Sequence, residues 1–176
     1  LQGVEEFLDV LDRYAPEPEY LEPFAAQVYK ISRDQQGVRL TWMKITGGSL
    51  RAKMMLRGGE GDSVWEEKAD QLRRYSGAKY EMVSEAPAGS IVAVTGLSRT
   101  YPGQGLGGEQ ADNAAVLEPV LNYRLILPEG ADPHTVLPKL RQLEEEDPLL
   151  RLVWNERWQE IHVRLMGPVQ LEVLQK

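Results

Sequence analysis

The groups in this 176-residue chain whose types and spacing could do chemistry are few. Gly103-Gln104-Gly105-Leu106-Gly107-Gly108 satisfies the string G-x-G-x-x-G, which can cradle the pyrophosphate of a dinucleotide. That chemistry needs a buried strand before the string and a helix N-terminus after it. Here Tyr101-Pro102 precedes and Glu109-Gln110-Ala111-Asp112-Asn113 follows, so the stretch reads as a flexible loop leaving a β-domain. Gly58-Gly59-Glu60-Gly61-Asp62-Ser63 lacks the lysine of a phosphate-binding loop and reads as a hairpin tip. Glu144-Glu145-Glu146-Asp147 suggests acid–base or metal chemistry, but it falls at a helix C-terminus, where negative charge is unfavourable. No converging partner is visible in the sequence, so a solvated face or a partner contact is expected. His134 and His162 are the only histidines, each on the polar side of its element, and Cys is absent. Nothing supports a metal site, and no catalytic, cofactor-binding or metal-ligating residue is expected in this chain.

The basic residues are the remaining candidates. Lys44, Arg51 and Lys53 flank the Gly47-Gly48 turn, and Arg73-Arg74-Tyr75 adds two charges and an aromatic ring. They read either as solvated strand edges, where cations discourage edge-to-edge aggregation, or as phosphate contacts that position the protein without reading sequence. The net charge of −7 is unevenly spread: −6 over residues 1–22, +2 over 23–116 and −3 over 117–176. The middle segment alone could sit against phosphate, and +2 is far from the strongly basic footprint of a dedicated DNA or RNA binder.

The elements that must position these groups follow from periodicity. Val4 to Tyr14 carries Val4, Phe7, Leu8 and Leu11 on one helical face and is stopped by Pro16 and Pro18; this helix is expected to pack on the domain C-terminal to it. From Pro23 to about Gly108 there are strand-length runs at 24–33, 37–46, 50–56, 64–75, 79–84 and 90–96, separated by glycine-rich turns. Short strands at that spacing predict a closed β-barrel over 23–108. Residues 109–119 are poor in aromatic and β-branched residues and read as a linker.

After the linker, residues 120–127 alternate, with Leu121, Tyr123, Leu125 and Leu127 inward and Asn122, Arg124 and Ile126 outward. Asp132 as N-cap and Pro133 as first helical residue begin a helix whose buried stripe is expected at Val136, Leu140 and Leu143. Pro138 either kinks its first turn or places the true start near Thr135. Two alternating strands follow, one presenting Leu150, Leu152 and Trp154, the other Ile161, Val163 and Leu165. Gly167-Pro168 then opens a helix with Val169, Leu171, Val173 and Leu174 as its apolar positions. The tally is βαββα, a ferredoxin-like βαββαβ domain lacking its last strand. The expected architecture is thus mainly β followed by α+β. The chain has no Cys and no apolar run of membrane-spanning length, so a cytoplasmic address with no membrane partner is expected. Its first residues, Leu1-Gln2-Gly3-Val4-Glu5-Glu6, lack an initiator Met and a signal pattern, which reads as a cut through a longer protein.

Two separated motifs also carry a resemblance. Glu145-Glu146-Asp147-Pro148-Leu149-Leu150-Arg151, followed after the strand pair by Met166-Gly167-Pro168-Val169-Gln170-Leu171-Glu172-Val173, is similar to the third domain of elongation factor G-type translational GTPases. Within that family it most resembles the tetracycline-resistance ribosomal protection proteins. In elongation factor G the second motif more often reads Gly-Glu-x-His-Leu-Glu, where this chain has Pro168 and Gln170. Val28-Tyr29-Lys30-Ile31, then Arg39-Leu40 with Lys44-Ile45 and Gly47-Gly48, then Glu85-Ala86 with Ala88-Gly89, resemble the second domain, where Ser-Gly is commoner than Gly47-Gly48. The resemblance implies a translation-factor β-barrel, a partial ferredoxin-like domain, and a residue 1–22 segment belonging to a missing GTPase domain. It implies a ribosomal partner, with Lys44, Arg51, Lys53, Arg73 and Arg74 as candidate contacts to small-subunit ribosomal RNA. GTP and Mg would serve the parent protein and not this chain, no DNA partner is implied, and a monomer is expected. Elongation factor G itself, a release-factor relative and a free-standing RNA- or protein-binding barrel are the alternatives.

Overall fold

The computed structural model describes residues 3–15, 18–59, 61–110, 119–147 and 149–174. Expectations that rest on Pro16-Glu17, Glu60, most of the linker (111–118) and Pro148 lie outside them.

The alternation of apolar residues between Phe24 and Val94 produces a barrel. Strands β1 (Ala25–Arg33), β2 (Arg39–Gly47), β6 (Leu72–Ser76), β7 (Lys79–Val83), β9 (Ile91–Val94) and β10 (Gly105–Gly107) form one antiparallel sheet in the order β10-β1-β2-β9-β6-β7. Two short ladders complete it: β3 (Ser49–Arg51) with β8 (Glu85–Pro87), and β4 (Met55–Gly58) with β5 (Trp65–Lys68). The β4–β5 pair turns through Gly61–Ser63, so the described residues of this glycine-rich stretch form a hairpin tip as expected. In β2 the period of two is clean, with Met43 and Ile45 in the core and Trp42, Lys44 and Thr46 facing out. The core is built on Val28, Ile31, Met43, Ile45, Leu50, Leu72, Val92, Val94 and Leu106.

Three features of the barrel differ from the sequence expectation. The 50–56 run breaks at a turn in which Lys53 adopts a left-handed φ of 70°, and the 64–75 run breaks at 69–71, where Ala69 N–H donates to Met54 O and Asp70 N–H to Thr95 O. Glu85–Pro87, outside the expected strand runs, is a strand. The 103–108 glycine string is not a flexible loop: Gly105–Gly107 pairs with Ala25–Gln27 and inserts a fully covered Leu106 into the core. A β-carbon on Gly105 would lie 2.5 Å from the Glu109 carbonyl oxygen, so the glycines serve close backbone approach and not phosphate. The Gly47-Gly48 turn has the same logic. A β-carbon on Gly47 would meet Pro23 O at 2.5 Å, while Gly48 sits at φ +54° and donates its N–H to Leu21 O at 2.7 Å.

Helix α1 (Val4–Tyr14) forms as expected but does not pack on the barrel; Phe7, Leu8 and Leu11 are 60, 56 and 47% exposed.

The second domain contains β11 (Leu121–Leu125), α2 (Pro133–Glu146), β12 (Arg151–Asn155), β13 (Glu160–Leu165) and α3 (Pro168–Leu174), with sheet order β11-β13-β12 and both pairings antiparallel. Its core is Leu150, Leu152, Ile161, Val163 and Leu165; of the other positions expected inward, Leu121, Leu125, Leu127 and Trp154 are partly buried against it and Tyr123 is exposed. Asp132 caps α2 by accepting from His134 N–H, Pro133 is the first helical residue, and Pro138 is carried inside the helix, so the helix starts early. The stripe is rotated from expectation: Leu137 and Leu140 pack on the sheet and Leu143 is 41% exposed. Glu144 lies on the same face, where its Oε1 accepts Leu152 N–H at 2.9 Å. His134 sits edge-on to Trp154, 5.5 Å between ring centres, and His162 Nε2 lies 3.1 Å from Glu160.

Candidate functional site

The five basic candidates do not form one patch. Arg73 is buried, with its guanidinium donating to Asp34 Oδ2 at 2.8 Å and to Gln71 Oε1, and lying 4.6 Å from the centre of the Tyr80 ring. The Arg73 hydrogen bond holds the Asp34 carboxyl below its usual range; for Arg73, burial is the largest single influence and works against the charge, and Asp34, Tyr75 and Tyr80 together outweigh it. This cation ties the β1–β2 turn to β6 and is closed to phosphate. Arg51 pairs with Glu85 at 3.3 Å, Lys53 with Asp70 at 2.7 Å, and Arg74 with Glu81. All three pairs are more than a third exposed, so each contributes little to stability. Lys44 points outward from β2, and it has no ion pair among the described residues.

The acidic run is no solvated face. Glu144 binds Arg141 and the β12 backbone, and Asp147 accepts from Leu149 N–H and from Gln170 Nε2, tying the end of α2 to the start of α3. Glu145 crosses to the barrel, where its Oε2 receives Arg33 Nη2 and Arg39 Nε, each at 3.1 Å. Arg39 is 13% exposed and also donates to Thr41 Oγ1, Leu97 O, Thr100 Oγ1 and Thr100 O. It is therefore fixed by the barrel before Glu145 arrives, and a planar guanidinium so held presents a directional site for one carboxylate. Sequence reading missed this joint because its partners are more than a hundred residues apart.

Two surface features of the barrel could take a ligand. A cleft of about 780 Å³ opens beside β4 and β10, lined among others by Arg57, Trp65, Arg99, Tyr101 and Gln104. On the outer face of the sheet, Trp42, Tyr75 and Tyr80 make a continuous aromatic row, with ring centres 4.8 and 5.2 Å apart. Trp42 is anchored by its indole N–H to Ser32 Oγ at 2.8 Å. Among the described residues no group of His, Asp and Glu is placed to hold a metal ion, and no helix is long and apolar enough to cross a membrane.

Residues 23–105 match the domain model for elongation factor G domain 2. The fold is thus the barrel of that domain followed by an α+β domain. The chain is similar to elongation factor G 2 of Syntrophus aciditrophicus (28% identity, 98% of this chain, 29% of the relative) and to elongation factor G 1 of Geobacter sulfurreducens (30% identity, 86% of this chain, 22% of the relative). A crystal structure of a Thermus thermophilus protein superposes with a TM-score of 0.74 at 25% identity, over 97% of this chain and 27% of that one. The chain spans less than a third of the length of these proteins.

Proposed function

We propose that this chain is a non-catalytic, two-domain part of a cytoplasmic, ribosome-binding translational GTPase of the elongation factor G type. The barrel positions the protein on the small ribosomal subunit, and the α+β domain relays between the GTPase domain and the ribosome. The observation that carries this reading is the extent of the likeness: similarity to elongation factor G 2 runs through 98% of the chain, across both domains in the same order. The contribution of these residues is geometric. GTP and Mg belong to another part of the parent, so a fluorescent GTP analogue should give no saturable signal with this chain. Co-sedimentation with purified small subunits tests the positioning role: binding that saturates and weakens with salt is expected, and no binding at low salt would overturn it.

A second reading places the parent among the tetracycline-resistance ribosomal protection proteins. It is favoured by Pro168 and Gln170. Gln170 Oε1 accepts Met166 N–H at 2.9 Å while its Nε2 donates to Asp147, so the two motifs of the resemblance are bonded to each other. Expressing the full gene separates the readings. A raised tetracycline inhibitory concentration supports protection, and rescue of an elongation factor G-depleted strain supports translocation.

A further inference from the structure

We infer that the Trp42–Tyr75–Tyr80 row on the outer face of the barrel is a stacking platform for unpaired RNA nucleotides. This rests on the ribosome-binding reading and names the part of the barrel that makes a contact. The rings come from three strands: Trp42 from β2, Tyr75 from β6, and Tyr80 from its cross-strand neighbour position on β7. Register places them with Lys44, two residues along β2 from Trp42, and with Lys30, the β1 partner of Trp42. Outward positions on a half-exposed sheet of a soluble barrel are ordinarily polar, yet here Tyr80 is 48% and Met82 69% exposed.

The row is prepared, not merely left uncovered. Trp42 is held by Ser32, and Arg73 lies against one side of Tyr80, fixing the ring while the rest of it meets solvent. Open clefts of about 420 and 380 Å³ share Tyr75 and Tyr80 as lining, so the row borders open space away from the Arg73 contact. Charge selects the occupant. The carboxylates that line these clefts, Asp34 and Glu81, are taken up by Arg73 and Arg74. Aromatic faces with lysines alongside suit splayed bases with phosphates at the rim. Paired RNA keeps its bases stacked inside the helix and could offer this surface only its backbone.

The test uses the chain and two labelled RNAs of equal phosphate number, a hairpin with an unpaired loop and a blunt duplex. Expected is tighter binding of the loop RNA, with quenching of the Trp42 component, which Trp42→Phe removes. Tyr80→Ala should weaken loop binding about tenfold, Tyr80→Phe should not, and neither should change duplex binding. Unchanged thermal melting of both variants guards against misfolding. Equal affinity for the two RNAs, or loop binding indifferent to Tyr80→Ala, overturns the platform. If small subunits still bind the wild-type chain in that event, the positioning role survives without it; if they do not, both fall. A photo-crosslinker at Met82 that labels ribosomal protein and no RNA would assign the row to a protein partner and also overturn the inference.

Discussion

The barrel and the α+β domain obey the same alternation rule, yet they differ in how many independent closures hold them. Among the described residues, the barrel cluster contains fifteen buried side chains and takes in Leu106 through the pairing of β10 with β1, with Arg73 and Arg39 bracing its turns. The second domain gathers five buried side chains on a three-stranded sheet, and neither of its helices has a buried residue among those described. Small units bury a smaller fraction of their surface and are correspondingly marginal. The difference teaches that a period-two pattern specifies which face is buried but not how much stability the burial delivers. The joint between the two is polar, one Glu145 carboxylate on two arginines, and such a joint sets orientation more than stability.

The largest expected effect separates the halves. Leu165→Ala removes a fully buried side chain from the smaller cluster and should cost about 3 kcal/mol, enough to unfold the second domain while the barrel remains. Melting followed separately through Trp154 and Trp42 should then show one lost and one retained transition. A single shared transition would dissolve the comparison. Next is Arg73→Ala, which leaves Asp34 without its partner and should destabilise the barrel by roughly 3 kcal/mol, with Arg73→Met less damaging. Chemical denaturation measures both, and a neutral Arg73→Ala would mean the clamp is decorative. Gly47→Ser restores the residue commoner in the resembled family, but its β-carbon would meet Pro23 O, so a loss of about 1–2 kcal/mol is expected in the barrel transition alone.

The smallest effect is that of acid. Asp132 and Glu160 in the second domain and Asp34 in the barrel have carboxyls held below their usual range, by His134 N–H, by Arg124 and by Arg73 respectively. Depressed carboxylates stabilise the fold fully above their unfolded pKa, about 4, and the contribution disappears as the pH falls through the lower folded values. Stability should therefore be flat from pH 7 to 5 and decline below 4. Asp132→Asn, which still caps α2, should flatten part of that decline in the second domain.

Much of this molecule was legible because one physical signal dominated each element. The strand-length run at 37–46 lies over β2, and Asp132-Pro133 marked the start of α2. What was hidden depended on distant partners. Strand β10 carries one buried apolar residue between two glycines, and only its pairing with Ala25–Gln27 distinguishes it from a loop. The α2 face that meets the sheet includes Glu144, which accepts from Leu152 N–H, and Glu145 of the acidic run found its cations in the barrel. Of the basic candidates, exposure could not be told from charge alone: Arg73 and Arg74 are sequence neighbours, one buried and one exposed.

Native-state hydrogen exchange on the dilute chain tests the contrast between the two halves most directly. Amides of β1, β2 and β9 should exchange only through the barrel's global opening, and those of β11, β12 and β13 through a separate opening of lower free energy. Equal protection across both sheets, or greater protection in β11–β13, would contradict it.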